Sequence, residues 1–239
     1  MAPPTLTSSA RTALEMLATD LRRIFGNGLH SVCAYGTTSD ADAEIRSVAL
    51  VSRLEFEDLA ACVPLARGWA RRGLAVPLLL ERDEFTRTLD VFPLEYGAII
   101  ATHVVVFGDD PFAGLTVPDA DRRRACEFQA KSHLIHLREG FLETDGEGRR
   151  IAALIGASAE GFRHLLLNIV ELAAPTEGAG DHLPEAAETY IGVPADLTRE
   201  VLASSAVGLS TIPEPSATLA RYIAAVERIW EFVDGWKRA

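Results

Sequence analysis

The chain has 239 residues with 34 acidic and 23 basic side chains, so its formal net charge is −11. That length allows one large domain or two small ones with real hydrophobic cores. The acidic residues are spread along the chain, which argues against a broad nucleic-acid surface because phosphate binding needs clustered Lys and Arg. The sequence shows no leader pattern and no apolar run of about 20 residues, so we expect a cytoplasmic protein that does not enter a membrane.

The first half alternates stretches of helical and strand-like apolar spacing. This pattern predicts helices over residues 9–25, 55–72 and 83–89, and strands over residues 30–36, 45–51, 76–80, 92–100 and 103–107. Alternation of this kind, closed by adjacent strands, favours a small mixed α/β sheet.

The second half is different, because its apolar residues recur almost throughout at helical spacing. It predicts helices over residues 119–142, 149–173, 184–191 and 196–206, and a final helix carrying Leu219 to Trp236. A Pro/Gly-rich linker is expected at 175–182, and Gly156 to Gly161 predict a kink or a break inside the second helix. We therefore predict two domains, an α/β domain over 1–118 and an antiparallel helical bundle over 119–239.

One stretch of the first half carries the most specific pattern in the chain. Ser31 to Thr37 reads as a strand that ends in the turn Gly36-Thr37, and a polar loop then leads to the next strand. Glu44 and Arg46, with one residue between them, stand at the start of that second strand.

Three further segments complete a resemblance to a known family: Asp90 to Tyr96, Phe107 to Phe112 and the helix Arg124 to Arg138. With the order of elements, they make the chain similar to the nucleotidyltransferase superfamily, and most of all to bacterial members with an all-helical C-terminal domain. The resemblance covers residues 9–142 well and the rest loosely. It implies an α+β protein with a small mixed sheet followed by a helical bundle.

The resemblance also implies a chemistry based on two metal ions. In such enzymes a Gly-Ser turn approaches the triphosphate, two carboxylates on the next strand hold Mg²⁺, and a third on a neighbouring strand helps to activate the attacking hydroxyl. The matching positions in this chain are Gly36 and Thr37 for the turn, Glu44 and Arg46 for the two carboxylates, and Glu95 for the third.

Arg46 contradicts the pattern, because Mg²⁺ takes oxygen ligands and a guanidinium repels a dication. Our first hypothesis is therefore a catalytically degenerate pseudoenzyme that acts as a nucleotide-binding or interaction module. Gly36, Thr37 and Arg46 are then candidate phosphate contacts, since a guanidinium can bind phosphate directly. A protein partner is also compatible with this hypothesis.

Two other hypotheses stay open. An active enzyme would transfer a nucleoside monophosphate to a small-molecule or protein hydroxyl and would use the carboxylates of Glu44, Glu95 and either Asp40 or Asp42. Its cofactors would be Mg²⁺ and a nucleoside triphosphate. A structural assembly protein would act through its helical bundle and use the sheet domain as a scaffold. Each candidate residue also has a purely structural interpretation, such as a strand-ending turn or a solvated charge.

Cysteines and histidines complete the set of candidate functional residues. Cys33, Cys62 and Cys126 lie in apolar runs without paired spacing, so buried reduced thiols are expected. His133 and His136 have the i,i+3 spacing of metal ligands on a helix, but no third ligand is evident nearby. We therefore expect packed histidines, with zinc binding as the alternative.

Overall fold

The computed structural model describes residues 6–36, 44–174, 182–206 and 212–237. It divides into two compact units, one over Ala2–Pro118 and the other over Asp119–Ala239. No helix in the described residues is both long and apolar enough to cross a bilayer.

The first unit is built on a four-stranded mixed sheet. Its elements are α1 (Ser8–Phe25), β1 (Leu29–Tyr35), β2 (Arg46–Val51), α2 (Phe56–Ala70), β3 (Leu78–Glu81), α3 (Arg82–Arg87), α4 (Pro93–Thr102) and β4 (Val104–Gly108). The strand order is β3-β2-β1-β4, where β1 is antiparallel to β2 and β4, and β2 is parallel to β3. The predicted mixed sheet is therefore confirmed.

Each face of the sheet carries its own hydrophobic core. On one face, α1 and α2 bury residues that include Leu17 and Trp69 against Val32 and Ala49. On the other face lie Phe85, Tyr96 and Phe112, together with Cys33 and Val48. Neighbouring residues of β1 and β2 enter opposite cores because successive side chains of a strand point to opposite faces.

The strand predicted over 92–100 is wrong, because these residues form the helix α4. Pro93 occupies the first helical turn, where its missing N–H costs no hydrogen bond. Tyr96 and Ile99 are buried three residues apart, which fits one face of a helix rather than the two-residue period of a strand. The apolar residues therefore cover the sheet from one side and do not extend it.

The second unit is a helical bundle. Its helices are α5 (Asp119–Glu143), α6 (Gly148–Ala173), α7 (Leu183–Ile191), α8 (Ala195–Ala206) and α9 (Pro215–Gly235). Helices α5 and α6 run antiparallel, since Gln129 bonds Asn168 near one end of the pair and Gly140 meets Leu154 near the other. The expected linker at 175–182 lies almost wholly outside the described residues.

Helix α6 runs unbroken through Gly156 and Gly161, so the predicted break there is wrong. These glycines are sites of close packing instead. A Cβ atom on Gly156 would lie 3.1 Å from the backbone oxygen of Ser204 in α8. A Cβ atom on Gly161 would lie 3.5 Å from the ring of His133 in α5.

Candidate functional site

The turn after β1 is held by the last residue of α4. Gly36 has a φ of +57°, a conformation that favours glycine because it lacks a Cβ atom. Its N–H donates to Oγ1 of Thr102 over 3.0 Å, and the Thr102 hydroxyl donates to the Ala98 carbonyl over 2.7 Å. This backbone amide is thus already engaged by the protein itself. Thr37, the second residue of the predicted turn, lies outside the described residues.

Arg46 lies directly against this turn. It pairs with Tyr35 across the β1–β2 ladder, and its guanidinium carbon is 5.5 Å from the centroid of the Tyr35 ring. A Cβ atom on Gly36 would come within 2.5 Å of Nη2 of Arg46, so the guanidinium occupies the space that a side chain would need. The structure therefore brings the candidate residues Gly36 and Arg46 together, and the Arg46 side chain is exposed to solvent.

Glu44 is exposed and comes two residues before Arg46. Between them, Ile45 forms a parallel bridge to Leu74 and exchanges backbone hydrogen bonds with Gly73 and Ala75. The start of β2 is thus flanked on its outer side by the stretch Gly73 to Val76, which leads into β3.

That flanking stretch is where a neighbouring strand would have to supply a third carboxylate. It contains glycine, leucine, alanine and valine, and Val76 is 72% exposed. The acidic residue of β3, Glu81, pairs with Val51 at the opposite end of β2. Five residues of strand separate Val51 from Arg46, or about 16 Å at 3.3 Å per residue. Glu81 also serves as the N-cap of α3 and accepts a bond from the Leu54 N–H.

Glu95 does not take the strand position expected for the third carboxylate. It is exposed in the first turn of α4, where an acid interacts favourably with the helix dipole. Seven residues separate it from Thr102, the part of α4 that touches Gly36, which corresponds to about 10 Å of helix rise. Glu95 thus lies two helical turns away from Thr102, the residue of α4 that contacts Gly36.

The described residues at this site do not fit a two-metal centre. Nowhere in the described ranges do three His, Cys, Asp or Glu side chains converge as a metal site would require. The start of β2 offers one carboxylate, Glu44, and one guanidinium, Arg46. Asp40 and Asp42 lie outside the described residues.

The other candidate residues are largely structural. Cys33, Cys62 and Cys126 are free and buried, and burial raises the pKa of each thiol, to about 12 for Cys33 and Cys126. His133 bonds the Tyr222 hydroxyl through Nε2, with 2.6 Å between the two atoms. His136 is exposed and lies 3.3 Å from a Glu139 oxygen. The zinc alternative has no third ligand in the described part of the chain.

Sequence reasoning missed two features of the site. Thr102 reaches the Gly36 turn from a distance of 66 residues along the chain, and no local pattern signals such a contact. The strand order places the stretch Gly73 to Val76 beside β2 and not beside β4. No local sequence pattern indicates that order.

This mixed sheet with helices on both faces, followed by a helical bundle, is a nucleotidyltransferase-like fold. No family model matches the chain, and no curated protein matches it. Among solved structures, it is similar to a spectinomycin adenyltransferase from Enterococcus faecialis that was crystallised with ATP and spectinomycin. The TM-score is 0.51 and the identity 9%, over 90% of this chain and 98% of the other. At that identity the likeness establishes the fold alone.

Proposed function

We propose that this protein is a nucleotidyltransferase-like pseudoenzyme that binds a nucleotide, with its transfer activity lost or strongly reduced. The observation that carries the proposal is the position of Arg46, whose guanidinium lies over the Gly36 turn. In the superfamily that the sequence resembles, this is the place of a metal-binding carboxylate beside the triphosphate.

The local charge supports binding without metal-dependent turnover. At about 4 Å and an effective dielectric of about 20, each pair of like unit charges repels by about 4 kcal/mol, and a dication doubles that. Arg46 therefore opposes Mg²⁺ at the start of β2. The same guanidinium attracts phosphate oxygens and can donate two parallel hydrogen bonds to them.

The residues around Glu44 support the loss of catalysis. A two-metal mechanism needs several carboxylates within reach of both ions. In the described residues the flanking stretch Gly73 to Val76 has none, and Glu95 lies two helical turns from the part of α4 that reaches Gly36. Nucleotide is the ligand of choice because the similar spectinomycin adenyltransferase was solved with ATP.

Calorimetric titration with ATP, GTP, CTP and UTP, each with and without Mg²⁺, tests the proposal. We expect at least one nucleotide to bind equally well or better without Mg²⁺, and no release of pyrophosphate with candidate hydroxyl acceptors. Tight binding that requires Mg²⁺ would instead favour an active enzyme that uses Glu44, Glu95 and Asp40 or Asp42. Absence of binding by all four nucleotides would refute nucleotide recognition.

One observation favours assembly through the helical bundle as a second candidate function. Helix α5 exposes Phe128, Ile135 and Leu142 to solvent by 77%, 42% and 77%. Their spacing of seven residues aligns them along one side of the helix, as in one row of a helix–helix seam. A second copy of this chain is the partner we propose for that row. Light scattering of the wild type and of Phe128→Ser tests it, and a monomeric wild type would refute it.

A further inference from the structure

A cavity of about 260 Å³ lies in the helical unit. It is bounded by α5 and α6 and is lined by His133, His136, Leu137, Leu154, Ala157, Ser158 and Gly161. The side of the cavity formed by α6 has little side-chain bulk, because Ala157, Ser158 and Gly161 are small residues. The cavity is slightly smaller than typical pockets for drug-sized ligands, at about 300–1,000 Å³, so it suits a smaller molecule.

His133 presents one edge of its ring to this wall. A Cβ atom on Gly161 would lie 3.5 Å from both Cε1 and Nδ1 of His133, so that edge of the ring faces the glycine. The other nitrogen, Nε2, lies 2.6 Å from the Tyr222 hydroxyl, and the ring stacks against Phe162. The described residues provide no hydrogen-bond partner for Nδ1.

The hydrogen-bond network sets the chemistry of that nitrogen. Burial lowers the pKa of His133 to about 4 and raises the pKa of the Tyr222 hydroxyl, so both groups are neutral at pH 7. Ser158 Oγ donates to the Ile155 carbonyl over 2.9 Å and lies 3.3 Å from the Tyr222 hydroxyl. The distance of 2.6 Å between Tyr222 and Nε2 is short for an N–H donor and suits a hydroxyl donor. Tyr222 then donates to Nε2, and the single imidazole proton resides on Nδ1 as a donor.

The remaining lining defines the complementary ligand. Leu137, Leu154 and Ala157 offer apolar contact. His136 at the cavity lies against Glu139, whose carboxylate disfavours an anionic ligand nearby. We propose that this cavity binds a small neutral molecule with an apolar body and one carbonyl oxygen, which accepts the Nδ1 hydrogen of His133. The proposal is independent of nucleotide binding.

The test is a titration monitored by the ¹⁵N resonances of His133 in the full-length protein. The probes are acetophenone and cyclohexanone, and the comparison compounds are α-methylstyrene and methylenecyclohexane, in which a methylene group replaces the carbonyl oxygen. We expect both ketones to shift the Nδ1 resonance saturably, and each hydrocarbon to bind at least about threefold more weakly, as expected for one lost hydrogen bond. Benzoate should also bind more weakly than acetophenone.

Variants of the cavity wall supply the control. Gly161→Leu should abolish the saturable shift, because its side chain would fill the space beside Nδ1 of His133. Ala157→Leu, at an exposed position of the same wall, is a second occluding variant if Gly161→Leu does not fold. Three results would each overturn the proposal: no saturable shift with either ketone, an unchanged shift in the occluded variants, or equal affinity for ketone and hydrocarbon.

Discussion

Replacing Arg46 separates metal-free phosphate binding from metal-dependent binding. Arg46→Gln removes the charge but leaves a neutral hydrogen-bond donor, while Arg46→Asp restores an oxygen ligand beside Glu44. A hydrogen bond to a charged group contributes about 1.5–3 kcal/mol, and 1.4 kcal/mol corresponds to a factor of 10 in affinity. We therefore expect Arg46→Gln to weaken metal-free nucleotide binding by roughly 10- to 150-fold.

Mg²⁺ should affect the two variants differently. In the wild type, the repulsion between Arg46 and a dication at about 4 Å amounts to about 8 kcal/mol at an effective dielectric of about 20, an upper bound for an exposed side chain. That repulsion is absent in Arg46→Gln and is replaced by attraction in Arg46→Asp. We expect Mg²⁺ to strengthen nucleotide binding to Arg46→Asp at least tenfold and to have little effect on the wild type.

The assay is calorimetric titration with and without Mg²⁺, with circular dichroism to verify folding. Arg53→Asp is a matched control, because it makes the same charge change at an exposed residue just beyond the opposite end of β2. It should leave both affinities within about twofold of the wild type if the effect is local. Equal metal-free affinities for the wild type and Arg46→Gln would refute the assignment of Arg46 to the phosphate.

Three further predictions concern stability. Gly36→Ala should lower the free energy of unfolding by about 1–2 kcal/mol in urea titrations, since its φ of +57° strains an L-residue and its Cβ atom would displace Arg46; unchanged stability would contradict this account of the turn. Gly161→Ala should raise the free energy of unfolding by about 0.5–1 kcal/mol, because alanine has the higher helix propensity. Gly156→Ala should give no such gain, because its Cβ atom would lie 3.1 Å from the backbone oxygen of Ser204. Burial lowers the pKa of His133 from 6.5 to about 4. The contribution of this residue to the free energy of unfolding is therefore fully present above pH 6.5 and is lost as the pH falls towards 4. That contribution is about 3 kcal/mol, and a His133→Gln variant should have a shallower loss of stability over the same range; parallel curves would show that His133 does not titrate in this way.

Most of the fold followed from local periodicity. The helix predicted over 9–25 appears as Ser8–Phe25, and the strand predicted over 45–51 appears as Arg46–Val51. In α1, the apolar spacing and the Thr7 cap both favour a helix. In β2, the apolar run and the burial of Ser47 to Val51 both favour a strand. The mixed sheet and the bundle could be predicted because each element buries the face that its own sequence marks as apolar.

The segment 92–100 shows where that reasoning fails. Its isoleucine and aromatic content favours a strand, but Pro93 can begin a helix, and the buried residues Tyr96 and Ile99 are three positions apart. Tyr96 stacks on Phe85 with ring centroids 4.3 Å apart, so tertiary packing against α3 stabilises the helical form. A short apolar run cannot reveal that partner in advance.

The candidate site depended on pairing that no local pattern encodes. The resemblance to nucleotidyltransferases pointed to Glu95 as the third carboxylate, on a segment predicted to be a strand. The parallel bridge from Ile45 to Leu74 instead makes Gly73 to Val76 the flanking stretch. Two features of this region therefore oppose a two-metal site. One is the guanidinium of Arg46, and the other is the absence of any acidic residue in the stretch Gly73 to Val76. On the proposed function, transfer activity would require at least two changes, for example Arg46→Asp together with Ala75→Glu, and the single variant Arg46→Asp should gain Mg²⁺-dependent binding without turnover. Turnover by the single variant would show that the missing acid comes from elsewhere in the chain.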